Sequence, residues 1–336
     1  MSSSPIVIVG AGVLGLCTAF ELHRRGQAVL VVDPGEVNAS LIAAGMIAPA
    51  MESAINDVSV DRAQLFRAGR DLWPEFAAAA RIALAYRPAE WRGGDVQAVE
   101  TRLRALGFDA RRDGASVTTY DDYQVEPTQA LAALRRGLGD AVVAGTVTTI
   151  ARADGGWRLE IGDQWLDAEA VVLATGACDA IAGLPDVARR LIEEIQPIRG
   201  QIGVVAEHLV DHVVRGPGAY VAPMVSGAVI GATMELGRRD TAPDAKASER
   251  LTQAAWAALG RSPEPLFIEW RVGIRGATAD GLPLAGAAPG EEGLFMALAP
   301  RRNGWLLGPL VGAVVADAIE GRTASPHARA LDLGRF

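Results

Sequence analysis

The sequence predicts an α/β fold in which a doubly wound, Rossmann-like domain carries an inserted α+β domain with a mainly antiparallel sheet. Three observations favour this fold. A short apolar strand pattern, Ile6 to Val9, runs directly into the glycine pattern G-x-G-x-x-G. Strand and helix patterns alternate near both ends of the 336-residue chain, whereas the middle is rich in short strands. Alternating segments are typical of a parallel sheet with helices packed on its faces.

The glycine pattern marks a turn at which the backbone can approach a phosphate. Gly10 permits a tight turn, Gly12 leaves space for a pyrophosphate, and Gly15 lets a helix predicted over 13–25 pack close to the strand. A second strand ends at Asp33, 23 residues after Gly10, where a carboxylate can accept hydrogen bonds from ribose hydroxyls. The stretch predicts a dinucleotide site. The alternative is a glycine-rich βα turn that binds no ligand.

A stretch of very small residues, Ala43 to Gly45, follows the second strand. A flat ring could lie directly against such a backbone. The stretch is equally compatible with the plain start of an alanine-rich helix, and the sequence leaves both interpretations open.

The remaining elements follow from apolar periodicity, proline positions and glycine turns. We predict helices over 58–82, 100–106, 127–138, 246–259 and 311–319, and strands over 117–120, 141–151, 157–161, 164–167, 170–176, 202–205, 219–223, 228–233, 267–274 and 293–299. We assign the dinucleotide domain to 1–52, 125–190 and 270–336, and the inserted domain to 53–124 and 191–269.

Composition excludes several classes of protein. The net charge is −8, from 32 basic and 40 acidic residues without a basic block, which argues against nucleic acid or an anionic membrane as a partner. The two cysteines form neither a disulfide framework nor a metal-ligand set, so no metal is expected. No apolar run reaches the length of a membrane span. We therefore expect a cytoplasmic protein.

A series of short motifs occurs in a fixed order along nearly the whole chain. They are Gly10-x-Gly12-x-x-Gly15, Asp33, Ala43-Ala-Gly-Met46, Ala174-Thr-Gly176, Arg199-Gly-Gln201, Gly231-Ala-Thr-Met234, Gly273-Ile-Arg275-x-x-Thr278-x-Asp280-Gly-Leu-Pro283 and Arg302-Asn-Gly304. The series resembles the D-amino-acid oxidase superfamily of FAD-dependent amine oxidoreductases. Within it, the chain is most similar to the glycine oxidases of the thiamine pathway.

The resemblance implies that FAD is the cofactor. It is expected to be noncovalent, because no Cys or His stands at a recognised attachment position. The implied cofactor-binding residues are Gly10, Gly12, Val13, Leu14, Gly15, Asp33, Ala43, Ala44, Gly45, Met46, Val147, Ala174, Thr175, Gly176, Arg275, Arg302, Asn303, Gly304, Trp305 and Leu306.

The resemblance also implies a substrate pocket. Arg275 matches the arginine that holds the substrate carboxylate, and its planar fork suits bidentate binding. Alternatively, Arg275 forms a structural ion pair with Asp280 and does not bind substrate. Tyr220 and Met234 match positions that line the substrate pocket. Alternatively, the Tyr220 side chain only packs against the sheet. Arg302 is expected to assist the carboxylate, face the flavin or cap carbonyl groups.

Three departures from the family pattern affect the pocket and its entrance. Ala299-Pro300-Arg301 stands where relatives have Gly-His, Met224 follows Pro223 where relatives have arginine, and the stretch over 107–123 is shorter.

The activity implied by the resemblance is oxidation of the C–N bond of a small amino acid such as glycine, sarcosine or a D-amino acid. Hydride passes to the flavin, an imino acid forms, and oxygen is reduced to hydrogen peroxide. The alternatives are an amine dehydrogenase with another electron acceptor, a flavin-bearing subunit of a larger complex, and the tRNA-modifying branch, which the acidic balance disfavours. A homo-oligomer is compatible with all of them.

Overall fold

The computed structural model describes residues 4–323 and 325–336. Their strands, in chain order, are β1 Ile6–Val9, β2 Val29–Asp33, β3 Met46–Ile47, β4 Leu84–Tyr86, β5 Ala89–Arg92, β6 Arg111–Asp113, β7 Ser116–Thr119, β8 Tyr123–Val125, β9 Val142–Ala144, β10 Val147–Ala153, β11 Gly156–Ile161, β12 Gln164–Ala168, β13 Ala170–Leu173, β14 Gln196–Val205, β15 Val213–Gly216, β16 Ala219–Met224, β17 Gly227–Gly231, β18 Glu235–Leu236, β19 Glu269–Ala277, β20 Leu284–Ala287 and β21 Leu294–Leu298.

The helices are α1 Val13–Arg24, α2 Ala39–Ile42, α3 Pro49–Ile55, α4 Val60–Asp71, α5 Trp73–Ala80, α6 Val96–Ala105, α7 Pro127–Leu138, α8 Asp186–Glu193, α9 Ala245–Leu259, α10 Gly304–Ile319 and α11 Ala328–Leu331. Short 3₁₀ turns follow α7 and α11. No helix among the residues described is long and apolar enough to cross a membrane.

A six-stranded sheet has the order β20-β21-β13-β1-β2-β9, and only β20 runs antiparallel to its neighbour. Because side chains alternate along a strand, β1 contributes to two cores. Ile6 and Ile8 pack with α1 and α10, whereas Val7 and Val9 pack with α8 and the antiparallel sheet β10-β11-β12. This layered arrangement confirms the predicted α/β fold class.

A separate nine-stranded sheet has the order β18-β14-β17-β16-β15-β5-β7-β6, with β19 also paired to β14. All its pairings are antiparallel except that of β15 with β5. β14 and β19 pair along nearly their whole length, with Gly200 opposite Gly273. This sheet carries Arg275, Tyr220 and Arg215. The domain boundaries given above stay a prediction.

Two predicted elements are each divided in the structure. The helix over 58–82 is two helices, because the chain turns at Leu72 and Pro74 opens α5. The strand over 141–151 is two strands in different sheets, because β9 pairs with β2 while β10 pairs with β11. Gly145 lies at the change of sheet, where its N–H donates to the Asp33 carbonyl at 3.0 Å.

The closing helix starts earlier than predicted. α10 begins at Gly304 rather than at Val311 and contains Pro309. Proline has no N–H to donate to the carbonyl of Trp305 one turn earlier. The indole Nε1 of Trp73 donates to that carbonyl instead, at 2.8 Å. A tertiary hydrogen bond therefore replaces the helical one, and the helix continues through the proline.

Candidate active site

The turn after β1 is closed by backbone contacts on one side. Gly10 has φ +109°, and a Cβ there would lie 2.5 Å from the Ala174 carbonyl oxygen. A Cβ on Gly15 would overlap the Gly10 carbonyl oxygen. Only glycine fits these two positions, and their contacts hold the start of α1 against β1 and β13.

The other side of the turn is open. Gly12 has ordinary extended backbone angles, and a Cβ there would meet nothing nearer than the Ser40 Oγ at 3.4 Å. The Val13 N–H donates to that same oxygen at 3.0 Å. Thr175 is half-buried and Gly176 exposed, so the loop after β13 is open too. The free space at the N-terminus of α1 suits a pyrophosphate.

Asp33 is fixed at the end of β2. Its Oδ2 accepts from the Ala11 N–H at 2.6 Å, and its Oδ1 accepts from the Gly35 N–H at 2.9 Å. Arg135 lies 3.4 Å from Oδ1. The buried residue Val147 follows Gly145, which is hydrogen-bonded to the Asp33 backbone. A carboxylate fixed beside a glycine turn suits the ribose of a dinucleotide.

The small-residue stretch is not a helix start, because α2 ends at Ile42 and α3 begins only at Pro49. Gln124 Nε2 donates to the Ala44 carbonyl at 2.9 Å, and Val125 N–H donates to the Gly45 carbonyl at 3.0 Å. A Cβ on Gly45 would overlap the Val125 carbonyl oxygen. The segment is thus a loop between α2 and β3 with small side chains, which suits the approach of a flat ring.

The start of α10 lies beside the start of α1. A Cβ on Gly304 would be 3.0 Å from Val13 Cγ1, and Trp305 Nε1 donates to the Ser40 carbonyl at 3.1 Å. Asn303 is the N-cap residue, but its side chain makes no capping hydrogen bond. Leu306 is buried behind it. The structure therefore brings the last of the predicted cofactor segments next to the first.

These segments together fit FAD. The turn after β1 has glycines at positions where a Cβ would clash, and it leads to the open N-terminus of α1 and to the fixed carboxylate of Asp33. The N-terminus of α10 lies beside that of α1. No group of three or more metal-ligating side chains is present in the described part of the chain.

Arg275 is a half-buried cation without an acidic partner among the described residues. Its Nη1 lies 3.3 Å from the Thr233 carbonyl and 3.5 Å from the Met234 sulfur. Asp280, the partner of the alternative interpretation, pairs with Arg335 at 3.0 Å instead. Burial lowers the pKa of the Arg275 guanidinium, and Arg302 lowers it further. The guanidinium is thus available to a carboxylate ligand.

Tyr220 lies in the same region. A Cβ on Gly231, the opposite residue of β17, would overlap its hydroxyl group. The Arg215 guanidinium carbon is 5.9 Å from the ring centroid. Burial raises the pKa of Tyr220, while Arg275 and Arg215 act against that rise. The ring therefore lies over the sheet, between two arginines.

Glu52 connects two of the arginines and was missed at the sequence level. Its Oε1 lies 2.8 Å from Arg215 Nη1, and its Oε2 lies 2.6 Å from Arg302 Nε. This ion pair is a contact of Arg302 that the sequence did not predict. Burial alone would raise the pKa of Glu52, but Arg302 and Arg215 lower it below its ordinary value. The carboxylate is therefore ionised and held at both oxygens.

Asp122, beside this pair, was also missed. Its Oδ1 accepts from the Ala50 N–H at 3.3 Å, while its Oδ2 is buried without a partner in the described residues. Burial raises the pKa of Asp122 to about 7. No local pattern marks Asp122, Glu52 or Arg215, because their segments meet only in the folded chain.

Comparison with known proteins assigns the family. The model of the DAO family, FAD dependent oxidoreductase, matches residues 5–318. The glycine oxidase of Geobacillus kaustophilus (strain HTA426) is 30% identical over 94% of this chain and 92% of that protein. The crystal structure of glycine oxidase from Geobacillus kaustophilus superposes with a TM-score of 0.84 at 26% identity and covers 100% of both chains.

A second relative is larger than this chain. The tRNA 5-methylaminomethyl-2-thiouridine biosynthesis bifunctional protein MnmC of Caulobacter sp. (strain K31) is 30% identical over 98% of this chain. The chain spans 57% of the length of that relative.

Proposed function

The chain belongs to the DAO family of FAD-dependent oxidoreductases, and we propose that it oxidises the C–N bond of a small amino acid of the glycine, sarcosine or D-amino acid type. The product is an imino acid and, with oxygen as acceptor, hydrogen peroxide. Bound FAD supplies the redox chemistry by accepting hydride from the substrate. The proposal depends chiefly on Arg275, a cation that no acid of the described residues neutralises.

Arg275 orients the substrate in this proposal. A guanidinium holds a carboxylate through two parallel hydrogen bonds, which fixes the position of the neighbouring Cα. Met234 and the Thr233 carbonyl contact Nη1 and restrict the side chain. Tyr220 lies over the sheet beside it and forms one wall. Orientation of this kind supplies a large share of a rate enhancement.

Glu52, the carboxylate paired with Arg302, is not suited to act as a base for the substrate amine. Its two oxygens are each bound by an arginine, Arg215 or Arg302. Its lowered pKa makes it a poor proton acceptor. In this proposal the substrate enters as the neutral amine, or becomes it, before its hydride leaves. Glu52 serves to hold Arg302 and Arg215 in place.

The cofactor residues keep their predicted roles as proposals. Gly10, Gly12, Gly15 and Asp33 would hold the ADP half, and the segment 43–46 would lie by the flavin ring. The start of α10 would face the pyrimidine edge, where a helix N-terminus stabilises negative charge. Noncovalent attachment stays a prediction.

A second candidate function is tRNA modification, favoured by the alignment of 98% of the chain with a tRNA-biosynthesis protein. The net charge of −8 counts against it, since binding to RNA phosphates depends on basic side chains. Fluorescence anisotropy with labelled tRNA tests it directly. Binding in low salt that competes with the amine substrate would support this function over the first.

The first experiment is anaerobic mixing of the holoenzyme with glycine, sarcosine, D-alanine and D-proline while the visible flavin absorbance is followed. Bleaching by one of them identifies the reductive substrate, and readmission of air separates an oxidase from a dehydrogenase through peroxide. A flavoprotein that none of these bleaches would contradict the proposed substrate class and favour a subunit role in a larger complex.

The Arg275→Ala variant tests the central residue. Loss of a charge-assisted carboxylate contact of about 3–4 kcal/mol lowers kcat/KM by roughly 10²–10³-fold, mostly through KM. Bound FAD is expected to stay at the parent level. Arg275→Lys keeps the charge without the fork, and we expect it to recover only part of the loss. Unchanged kinetics in Arg275→Ala would remove the residue from the site.

A further inference from the structure

A cavity of about 310 Å³ lies between the start of α4, the loop before it and the start of α10. We call it the arginine cavity, because its lining includes Arg62, Arg301 and Arg302 together with Ser59, Asn303 and Asp57. The proposed function uses only Arg302 and Asn303 of this lining. The other residues of the arginine cavity are therefore unassigned.

The charges of the arginine cavity do not balance. Arg62 and Arg301 make no ion pair with an acid of the described residues, whereas Arg302 shares Glu52 with Arg215. Asp57 is the acid in the lining, and it pairs with Arg102 at 2.8 Å. The cavity is thus cationic in a protein whose net charge is −8.

Two helix N-termini add to this positive potential. Ser59 is the N-cap residue of α4 and Asn303 that of α10, and both line the cavity. Each helix has at least three turns, so the partial positive charge of its N-terminus is developed. Guanidinium groups and helix N-termini that meet in one cavity form a binding site for an anion.

The arginine cavity is electrostatically connected to the proposed carboxylate site. Arg301 and Arg302 both act on Arg275 and lower its pKa, after the larger effect of burial. Burial and Arg302 likewise lower the pKa of Arg301, while Glu52 acts against that decrease. A ligand with two negative groups could neutralise Arg275 and the arginine cavity together.

We propose that the arginine cavity binds a second anionic group of the substrate, a carboxylate or a phosphate that is separated from the reacting C–N bond. The inference rests on the proposed function, in which Arg275 holds the first carboxylate. The preferred substrate is then an amino acid that carries a further anionic group, rather than glycine itself.

The test compares three N-substituted glycines of similar length on the holoenzyme. N-(3-carboxypropyl)glycine and N-(3-phosphonopropyl)glycine carry the second anion, and N-butylglycine is the neutral counterpart. We expect kcat/KM for the better anionic compound to exceed that for N-butylglycine by roughly tenfold or more, the effect of one charge-assisted contact. The excess should shrink as salt is raised, because salt screens partly exposed charges.

The double variant Arg62→Gln/Arg301→Gln assigns the effect to the cavity. The ratio of kcat/KM between the anionic and the neutral compound should fall about tenfold. Arg250→Gln is the matched control, because Arg250 is exposed on α9 and makes no ion pair in the described residues. It should leave the ratio unchanged. The inference is overturned if this ratio of kcat/KM is unchanged in the double variant. It is also overturned if the parent oxidises all three compounds with equal kcat/KM.

Calorimetric titration of the same compounds separates this inference from the proposed function. If no amine is oxidised, the proposed function fails, but binding still reports on the cavity. Tighter binding of an anionic compound that is lost in the double variant supports the anion site. Equal binding of all three compounds rejects it. The stronger of the two anionic compounds identifies the group as carboxylate or phosphate.

Discussion

The two halves of the candidate site are built by different means. The cofactor side consists of backbone turns in which glycines at 10, 15 and 45 lie against backbone carbonyl oxygens, of Ala174, Gly10 and Val125 respectively. The substrate side consists of buried charged side chains, with Glu52 joined to Arg215 and Arg302. The comparison shows that the glycines of the cofactor side form a pattern visible in short stretches of sequence, whereas the ion pairs of the substrate side join residues up to 250 positions apart.

The two halves are also stabilised by different contributions, close packing on the cofactor side and ion pairing on the substrate side. A missing Cβ allows close packing without desolvating a charge. A buried ion pair loses hydration on both partners, so removing one partner leaves an uncompensated charge. Substitutions on the cofactor side should therefore act through steric overlap, and those on the substrate side through charge and pH.

The largest effect is expected for Gly15→Ala. Alanine normally stabilises a helix by about 1 kcal/mol relative to glycine. Here its Cβ would overlap the Gly10 carbonyl oxygen, and that collision outweighs the gain. We expect the free energy of unfolding of the apoprotein to fall by at least about 5 kcal/mol in urea titrations.

Gly12→Ala is the matched control on the cofactor side. Its Cβ would lie 3.4 Å from the nearest atom outside its neighbours, and its backbone angles suit alanine. The apoprotein should unfold as the parent does, while FAD binds at least about tenfold more weakly. Equal loss of stability in both variants would contradict the distinction between a packing glycine and a ligand-facing one.

Glu52→Gln should give the largest effect on the substrate side. The shape is kept, but two arginines lose their shared counterion. Breaking a buried pair in this way destabilises by about 3–5 kcal/mol. Because the pKa of Glu52 is lowered in the folded state, its contribution is present above the unfolded pKa and is lost as the pH falls through the folded pKa. The difference between parent and variant should therefore be present at pH 7 and shrink in acid.

Glu269→Gln serves as the control for this prediction. Glu269 pairs with Arg271, but both side chains are about half exposed. Solvent screens such a pair, so its loss should leave the urea midpoint at neutral pH unchanged. A similar shift in both variants would mean that burial of Glu52 is irrelevant to its effect.

Asp122→Asn should change the pH dependence of stability. The folded pKa of about 7 lies above the ordinary value of 3.8, so the folded state holds a proton that the unfolded state has released. Between these two values the parent loses up to about 1.4 kcal/mol per pH unit from this group. The variant should lack that slope, exceed the parent in stability at pH 8 and approach it at pH 4. If the stability of parent and variant changed with pH in the same way, Asp122 would be ionised in the folded protein and the prediction would be wrong.

The smallest effect is expected for Trp73→Phe. It removes the N–H that donates to the Trp305 carbonyl in α10. Since Pro309 cannot replace that donor, the buried carbonyl is left unpaired. This lowers the free energy of unfolding by about 1–3 kcal/mol. Thermal unfolding measures the loss. Combining the change with Pro309→Ala, which restores a helical donor, should recover part of it.

The sequence by itself determined the α/β fold class and the glycine turn after β1, and it singled out Arg275 as a candidate cation for the site. These features are local: a strand pattern, three glycines, an acid at a fixed spacing and an arginine at a strand end. Each of these features can be recognised from residues that are close together in the sequence. The conformation of the segment at 43–45 was left open, because it depends on hydrogen bonds from Gln124 and Val125 of β8.

Only the tertiary structure decided the charge network and the exact helix boundaries. Glu52, Asp122 and Arg215 come from three unrelated segments, and nothing in their local sequence marks burial or partners. α10 starts at Gly304 because an indole from α5 replaces the hydrogen bond that Pro309 cannot make. The physical reason is the same in both cases. Desolvation and long-range hydrogen bonds act between segments that become neighbours only when the chain has folded.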